Sequence, residues 1–294
     1  MAAVDLSMLR GDRRSRRRSI VNRLAEALAT VAALAAVAVL GVVVWSVAKR
    51  GAGDLSWGFL TRDLPLPFSG RSGGIAPLIV GSAILVALAA AVAVPIGVCV
   101  AVFLQEFATA KLRAAIQLAI DLMNGLPSII LGVFVFGLFV YGHPQRAWAG
   151  SAALAIVMLP LVTRSTQEVL RLVPSVQREG GLALGASRWR TVLGITLPSA
   201  LGGIVTGSVL AVARAAGETA PLLFVSSIYG TSVDWNPTHA LPNIPVQIFI
   251  WSESPDPADH KRAWASALVL LLFVLATSLI ARLALVRSRR NLGR

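Results

Sequence analysis

Long apolar runs separated by short polar connections dominate the pattern of this chain. The runs are Leu24–Ala48, Ile75–Leu104, Ala115–Tyr141, Gly150–Leu170, Ile195–Gly217 and Trp264–Val286. Each is long enough, as a helix, to cross a hydrocarbon core about 30 Å thick. They are rich in alanine and leucine and lack the alternating polarity of barrel strands. The pattern predicts an all-α membrane protein with about six transmembrane helices.

The first apolar run has some features of a secretory signal peptide, because the basic cluster Arg13–Arg18 precedes it. Its length of 25 residues exceeds that of a signal-peptide apolar region. Trp45, Lys49 and Arg50 close the run in the manner of an interfacial anchor. We therefore expect a transmembrane helix that is retained.

The distribution of lysine and arginine predicts the orientation. The net charge is +13, yet 18 of the 27 basic residues lie in segments 1–23, 105–114 and 171–194 and after Ala281. Seven lie in the opposite connections. This bias predicts that both termini are cytoplasmic. Basic residues placed in the connections are typical of a membrane protein and not of a nucleic-acid groove. The arginine-rich N-terminal segment is expected to contact anionic lipid.

The connection 218–263 is longer than a simple turn requires. It contains an apolar stretch at Ala220–Ile228, which is too short to span the membrane, and a second at Pro245–Trp251. Short apolar pieces of this kind are typical of re-entrant or interfacial segments. An outer loop packed on the helices is the alternative, and both interpretations stay open.

The segment 175–194, hereafter the 175–194 loop, is a polar connection between two apolar runs. Pro174 favours a helix start, Ser175 is a candidate N-cap, and Gly185 is suited to a turn or a close approach. We expect a short helix, a turn and re-entry into the membrane. An interfacial helix that rests on lipid headgroups is the alternative.

The spacing within the 175–194 loop resembles the coupling-loop motif of binding-protein-dependent ABC importer permeases. The matching residues are Glu179, Gly185 and the late Ile195-x-Leu197-Pro198, whereas Gly180 and Gly181 stand where that motif has two alanines. The resemblance implies that Glu179, Gly180, Gly181, Gly185 and Pro198 couple this chain to a separate ATPase. None of the three lysines lies in a Gly-Lys-Ser/Thr sequence, so ATP and Mg²⁺ are expected on a partner chain.

Two arginines fall inside predicted membrane helices. Arg164 and Arg214 are each followed four residues later by a glutamate, Glu168 and Glu218, which favours ion pairs along one helix face. A mid-membrane arginine costs about 2.5–3.5 kcal/mol on insertion scales, so such residues usually face a cavity or a partner. Pairs that only neutralise themselves or hold helices together are the alternative for both, and Arg164 is near enough to an interface to reach the headgroups.

Arg214 lies in a sequence that favours a binding site. Gly217 and Pro221 can end the helix beside it, Thr219 adds a hydroxyl, and a guanidinium fits a tetrahedral oxyanion. We expect Arg214 to bind an anion and Glu218 to limit the strength of that binding. The three histidines and Cys99 show no metal-ligand spacing, so no metal site is predicted.

The sequence Arg214–Phe224 resembles a block typical of the PstA family of phosphate ABC importer permeases. Gly73–Gly81, Asn124–Ile129 and Val246–Trp251 resemble the same family. The resemblance implies a MetI-like fold, a sister permease like PstC, an ATPase dimer like PstB and a phosphate-binding protein like PstS. In such an importer we expect Arg214, Glu218, Thr219 and Arg164 to lie on the phosphate pathway.

Other functions remain compatible with the residues. An ABC permease for sulfate or molybdate would use a similar arginine, and an ion-driven carrier or a membrane scaffold would need no ATPase. The expected organisation is a basic segment 1–23, a first helix and outer loop 24–74, a permease domain 75–286 with the coupling loop 175–194, and a basic tail 287–294.

Overall fold

The computed structural model describes residues 13–65, 73–226 and 230–292. Within these ranges the chain forms twelve α-helices: α1 Arg13–Gly51, α2 Trp57–Thr61, α3 Ala76–Val102, α4 Ala110–Gly125, α5 Ser128–Phe139, α6 Ala147–Arg171, α7 Ser175–Ala183, α8 Arg188–Thr191, α9 Leu197–Ala215, α10 Leu222–Val225, α11 Ile244–Ser252 and α12 Pro257–Leu292. A 3-10 turn at Ala52–Asp54 and π-helical turns at Phe103–Phe107 and Val192–Thr196 complete the elements. The predicted N-terminal segment 1–23 and tail 287–294 lie partly outside the described residues.

Five helical segments are long and apolar enough to cross a membrane: Arg17–Asp54, Ala76–Phe107, Ala147–Arg171, Arg188–Ala215 and Pro257–Ile280. A sixth results if α4 and α5 together count as one bent span. The predicted all-helical membrane architecture is therefore confirmed. The chain divides into two units, residues 1–49 and residues 50–294.

The described part of the first unit is helical and leaves its large apolar side chains exposed. Leu28 is 70% exposed, and Trp45 is exposed to the same fraction. A helix with apolar side chains exposed on every face is stable only in lipid or against apolar partners. This agrees with a membrane-spanning segment.

The second unit is built around α3, α6, α9 and α12. Close contact between α6 and α9 depends on two glycines: a Cβ at Gly203 would lie 2.5 Å from Val169, and one at Gly207 would lie 2.6 Å from the Ser165 hydroxyl. Small residues four apart allow two membrane helices to approach closely. Hence the two helices that flank the 175–194 loop are packed directly against each other.

The predicted third span, Ala115–Tyr141, is not one continuous helix. The chain bends by 101° between α4 and α5, at Leu126 and Pro127. Proline restricts the residue before it to extended conformations, and Leu126 has φ −70° and ψ 136°. The helix therefore ends at Gly125, in the middle of an apolar run.

The connection 218–263 contains helices α10 and α11, and α11 packs against α3 and α12. Asn243 begins α11 by accepting a hydrogen bond from the Val246 N–H at 3.0 Å, and its amide donates to the Ser226 hydroxyl at 2.7 Å. The Ile244 N–H donates to Ser82 on α3 at 2.9 Å. Residues 227–229, of which 227 and 228 belong to the predicted apolar stretch 220–228, lie outside the described residues.

Candidate functional site

The 175–194 loop folds as a helix, a turn and a second short helix. Ser175 is the first residue of α7 and the N-cap is Pro174, which makes no side-chain capping bond, so the expected Ser175 cap is wrong. In this loop the side-chain N-cap is on α8, where the Ser187 hydroxyl accepts a hydrogen bond from the Arg190 N–H at 3.4 Å. Gly185 has φ +80° and forms the turn between the helices. A left-handed backbone is least costly for glycine.

The two glycines that replace the expected alanines have different surroundings. A Cβ added at Gly180 would meet no atom within 4 Å. At Gly181 it would lie 2.8 Å from Ile195 and 3.0 Å from the methyl of Thr191. Gly181 therefore permits close packing of α7 on the chain that re-enters the membrane, whereas Gly180 faces open space.

Arg178 ties α7 to the ends of two membrane helices. Its Nη2 atom lies 3.0 Å from Glu106 Oε1 and donates to the Leu170 carbonyl at 2.7 Å. The side chains of Arg178 and Glu106 are only 24% and 12% exposed. A second contact joins the same elements, since the Phe107 and Trp189 rings lie 5.3 Å apart. The loop is thus fixed to the π-helical end of α3 and to the end of α6.

The outer face of the 175–194 loop carries exposed apolar side chains next to a free carboxylate. Leu184 is 91% exposed and Val176 is 74% exposed. Glu179 is exposed and forms no ion pair with another described residue. Pro198 is also exposed, at the start of α9. This face can therefore meet a protein partner through both apolar and charged contacts.

Arg164 is paired, but with a different residue from the one expected. Its guanidinium forms an ion pair with Asp121 on α4, not with Glu168. Asp121 also accepts from Gln117 at 2.8 Å, and Gln167 donates to Gln117 at 3.1 Å. The i,i+4 spacing permitted the Glu168 pair, but α4 packs beside α6 and supplies a nearer carboxylate. These contacts join α4 to α6.

Glu168 instead faces a cavity of about 490 Å³ between α6, α7 and α9. Polar groups from Ser165, Gln177 and Ser199 share this cavity with it. The Ser199 hydroxyl lies 3.5 Å from the Gln177 side-chain oxygen. The cavity lies beside the loop and takes in neither Arg164 nor Arg214.

The predicted pair at the other end of α9 is present. The Nε atom of Arg214 lies 3.7 Å from Glu218 Oε1, and the two side chains are 67% and 17% exposed. Helix α9 ends at Ala215, and the Gly217 N–H donates to the Arg214 carbonyl at 3.0 Å. A turn therefore replaces the helix beside the arginine, as Gly217 predicts.

Arg214 and Glu218 line a cavity of about 120 Å³, hereafter the Arg214 cavity. Asn124 and Ser128, from the two sides of the break between α4 and α5, also line it. Its other lining residues are Met123, Leu126, Leu131, Val157, Pro160 and Leu161. Gly132 lets α5 pack closely against the backbone at Pro221, because a Cβ at position 132 would lie 2.6 Å from the Pro221 Cα atom.

Thr219 is not among the residues that line the Arg214 cavity. Its carbonyl accepts hydrogen bonds from Leu222 and Leu223 and so begins α10. Asn124 and Ser128 were not among the expected site residues. The Asn124–Ile129 motif has a proline inside an apolar run, which predicts a break in the helix. The motif does not indicate which cavity that break faces.

One carboxyl group in the connection 218–263, that of Asp234, has a pKa below its usual value. The Asn236 N–H donates to Asp234 at 2.8 Å, and His239 Nδ1 lies 2.7 Å from the other carboxylate oxygen. These hydrogen bonds, the backbone one first, lower the pKa of Asp234 below its usual value. Among the described residues no group of three or more His, Cys, Asp or Glu side chains is placed to hold a metal ion.

Comparison with solved structures identifies the fold. The chain is similar to the MetNI methionine ABC transporter in inward-facing conformations, with a TM-score of 0.58, 17% identity and coverage of 73% of this chain and 94% of that one. It is also similar to an amino acid ABC transporter solved with histidines, with a TM-score of 0.56, 20% identity and coverage of 72% and 92%. At these identities the likeness establishes a MetI-like permease fold.

Comparison with proteins of known name shows closer relatives. The phosphate transport system permease protein PstA of Xylella fastidiosa (strain 9a5c) is 37% identical over 93% of this chain and 96% of that protein. PstA of Yersinia pestis is 34% identical over 91% of each chain. PstA 1 of Mycobacterium tuberculosis (strain H37Rv) is 34% identical over 93% of this chain and 91% of its own.

A family model described as the inner membrane component of binding-protein-dependent transport systems matches residues 93–291. The match includes the 175–194 loop, Arg214 and the broken third span. The helical spans of the structure suit a multi-pass protein of the cytoplasmic membrane. This chain belongs to the family of inner membrane components of binding-protein-dependent transport systems.

Proposed function

We propose that this chain is a transmembrane permease subunit of an ATP-driven inorganic phosphate importer and forms half of its translocation pathway. The observation that carries the proposal is Arg214, a guanidinium 67% exposed beside a polar cavity at a helix break. The named relatives, which are 34–37% identical over more than nine-tenths of this chain, are all phosphate permease proteins. Together the charge and the relationship favour an inorganic oxyanion as cargo.

The proposed substrate pathway contains Arg214, Glu218, Thr219 and Arg164. Arg214 would attract the anion, and Glu218, 3.7 Å away, would prevent binding so tight that release becomes slow. Thr219 would act by holding the turn that follows Glu218. Arg164, paired with Asp121, would act by keeping α4 in place beside α6.

Coupling to ATP hydrolysis is proposed for the 175–194 loop. Glu179 and the exposed apolar side chains would meet the ATPase, while Gly185 sets the turn. Gly180 offers open backbone to the partner, whereas Gly181 and Pro198 shape the return into the membrane. ATP and Mg²⁺ would bind to that partner, because this chain has no Walker A sequence.

The proposed assembly contains a PstC-like sister permease, a PstB-like ATPase dimer and a PstS-like phosphate-binding protein. The bias of lysine and arginine supports an orientation with both termini in the cytoplasm and the 175–194 loop on the same side. The basic segment 1–23 would contact anionic lipid.

Uptake of radiolabelled phosphate by cells that lack this chain tests the function. We expect high-affinity phosphate uptake to be lost and to return when the chain is supplied. Normal phosphate uptake with a loss of sulfate or molybdate uptake would instead assign it to another oxyanion. Purification of the chain in mild detergent without any nucleotide-binding subunit would contradict the ABC assembly and favour an ion-driven carrier.

A further inference from the structure

The break in the third span places unpaired polar side chains beside Arg214. Asn124 lies one residue before the end of α4, and Ser128 is the first residue of α5. Both line the Arg214 cavity. Neither side chain hydrogen-bonds to another residue in the described part of the chain. Asn124 is exposed and Ser128 is half-buried, so both side chains are open to a ligand that enters this cavity.

The backbone at the break adds to this donor set. Pro127 is the N-cap of α5 and provides no side-chain hydrogen bond to its first turn. The first N–H groups of a helix have no intrahelical partner and carry partial positive charge. In a broken membrane helix, such an end supports anion binding where charged side chains already face the same cavity.

Glu218 contributes a property that the donors lack. At 3.7 Å its contact with Arg214 is longer than a normal hydrogen bond, so the carboxylate keeps free acceptor positions. Inorganic phosphate retains at least one proton at neutral pH, whereas sulfate retains none. A carboxylate accepts a hydrogen bond from a protonated oxyanion and repels one that is fully ionised.

We propose that the Arg214 cavity is a selective site for a protonated tetrahedral oxyanion, in which Arg214, Asn124 and Ser128 donate hydrogen bonds to the anion and Glu218 accepts a hydrogen bond from the anion's hydroxyl group. The proposal rests on the proposed function and deepens it, because it names the contacts that separate phosphate from sulfate. The volume of about 120 Å³ is well above the ~10–15 Å³ that one water needs. A small inorganic anion therefore fits.

Cysteine labelling in the complete importer tests the site directly. With Cys99→Ser as background, Ser128→Cys should react roughly tenfold faster with an anionic thiosulfonate than with a cationic one, because Arg214 raises the local anion concentration. Adding Arg214→Ala should remove that preference. Inorganic phosphate should slow the labelling of Ser128→Cys, and sulfate at equal concentration should not.

Ile129→Cys in the same background is the matched control. Ile129 is the next residue, is 45% exposed and does not line the cavity, so phosphate should leave its labelling rate unchanged. Labelling of Ser128→Cys that ignores phosphate, or that responds equally to sulfate, overturns the proposal. If the parent complex still imports phosphate in that case, the proposed function survives and only this site is excluded.

Uptake gives a second measurement of the same site. Asn124→Leu should lower maximal phosphate uptake roughly tenfold, the loss expected for one hydrogen bond to an anion. Glu218→Gln should let sulfate compete with phosphate for labelling protection at Ser128→Cys. If Asn124→Leu instead dissociates the membrane subunits, Asn124 serves an interface between permeases, and the donor role is wrong.

Discussion

Arg178 and Arg214 show two different uses of arginine in one chain. Arg178 is 24% exposed, lies 3.0 Å from Glu106 and donates to a helix-end carbonyl at 2.7 Å. Arg214 is 67% exposed and has a single carboxylate at 3.7 Å. An arginine with several short contacts holds elements together, whereas one with a single long contact remains available to bind an anion.

The difference follows from where each arginine lies. Around Arg178 the ends of α3 and α6 converge, so a carboxylate and an unpaired helix carbonyl are both within reach. Arg214 is near the end of α9, where Gly217 stops the helix and the break in the third span opens a cavity. The first site therefore suits transmission of movement, and the second suits contact with cargo.

The largest expected effect on phosphate uptake comes from replacing Arg214. Arg214→Ala should abolish phosphate uptake while the complex stays assembled, because Arg214 is the one arginine or lysine among the described residues that line this cavity. Arg214→Lys should restore part of the rate, since lysine keeps the charge but not the planar pair of donors. Uptake rates and subunit recovery after purification measure both outcomes. Unchanged uptake in Arg214→Ala would remove the anion-binding role.

Glu179→Lys should have the next largest effect on uptake, through loss of contact between the 175–194 loop and the ATPase. The exposed carboxylate is replaced by the opposite charge on the face proposed to meet the ATPase, so ATPase recovery and uptake should fall together. Glu253→Lys, another exposed glutamate at the end of α11, is the control and should change neither. Normal ATPase association in Glu179→Lys would contradict the docking role.

A smaller effect is expected when the Arg178 pair is broken. Removing one partner from this half-buried pair should destabilise the loop by about 2 kcal/mol and lower uptake several-fold. Selection of phosphate over sulfate should not change, because neither Arg178 nor Glu106 lines the Arg214 cavity. A double-mutant cycle of Arg178→Ala and Glu106→Gln, followed by thermal unfolding and uptake, measures their coupling. Additive effects would show that the pair does not act as a unit.

The smallest expected effects are changes in stability when either of two neighbouring glycines is replaced by alanine. Gly181→Ala should destabilise the loop by about 1 kcal/mol, because its Cβ would lie 3.0 Å from the methyl of Thr191, which is buried. Gly180→Ala meets no atom within 4 Å and should stabilise α7 by up to about 1 kcal/mol. Thermal unfolding of the two variants in detergent compares them. Equal shifts in both would mean that Gly181 is not needed for close packing.

The errors of the sequence interpretation concern partners more than elements. The 175–194 loop was predicted as a helix and turn, and Gly185 occupies that turn at φ +80°. Arg214 and Glu218 were predicted as a pair, and they lie on consecutive turns of the same segment. Both features are local, since they depend on residues at most a few positions apart.

Features that join distant residues were not predictable in the same way. Arg164 pairs with Asp121 and not with Glu168, and Arg178 pairs with Glu106, because helix packing places those carboxylates within reach. Asn124 and Ser128 reached the Arg214 cavity only through the 101° bend between α4 and α5. A single sequence does not encode these distances in any short-range pattern.

The sequence by itself determined the membrane class, the approximate helices and the two regions that carry charge. Those conclusions rest on apolar length, the cost of charge in lipid and turn chemistry, all of which act over short stretches of chain. Only the tertiary structure decided which arginine is held by several short contacts and which has one long contact, and that the broken span shares a cavity with Arg214. The physical reason is that ion pairs and cavities form between elements, so their partners are set by helix packing.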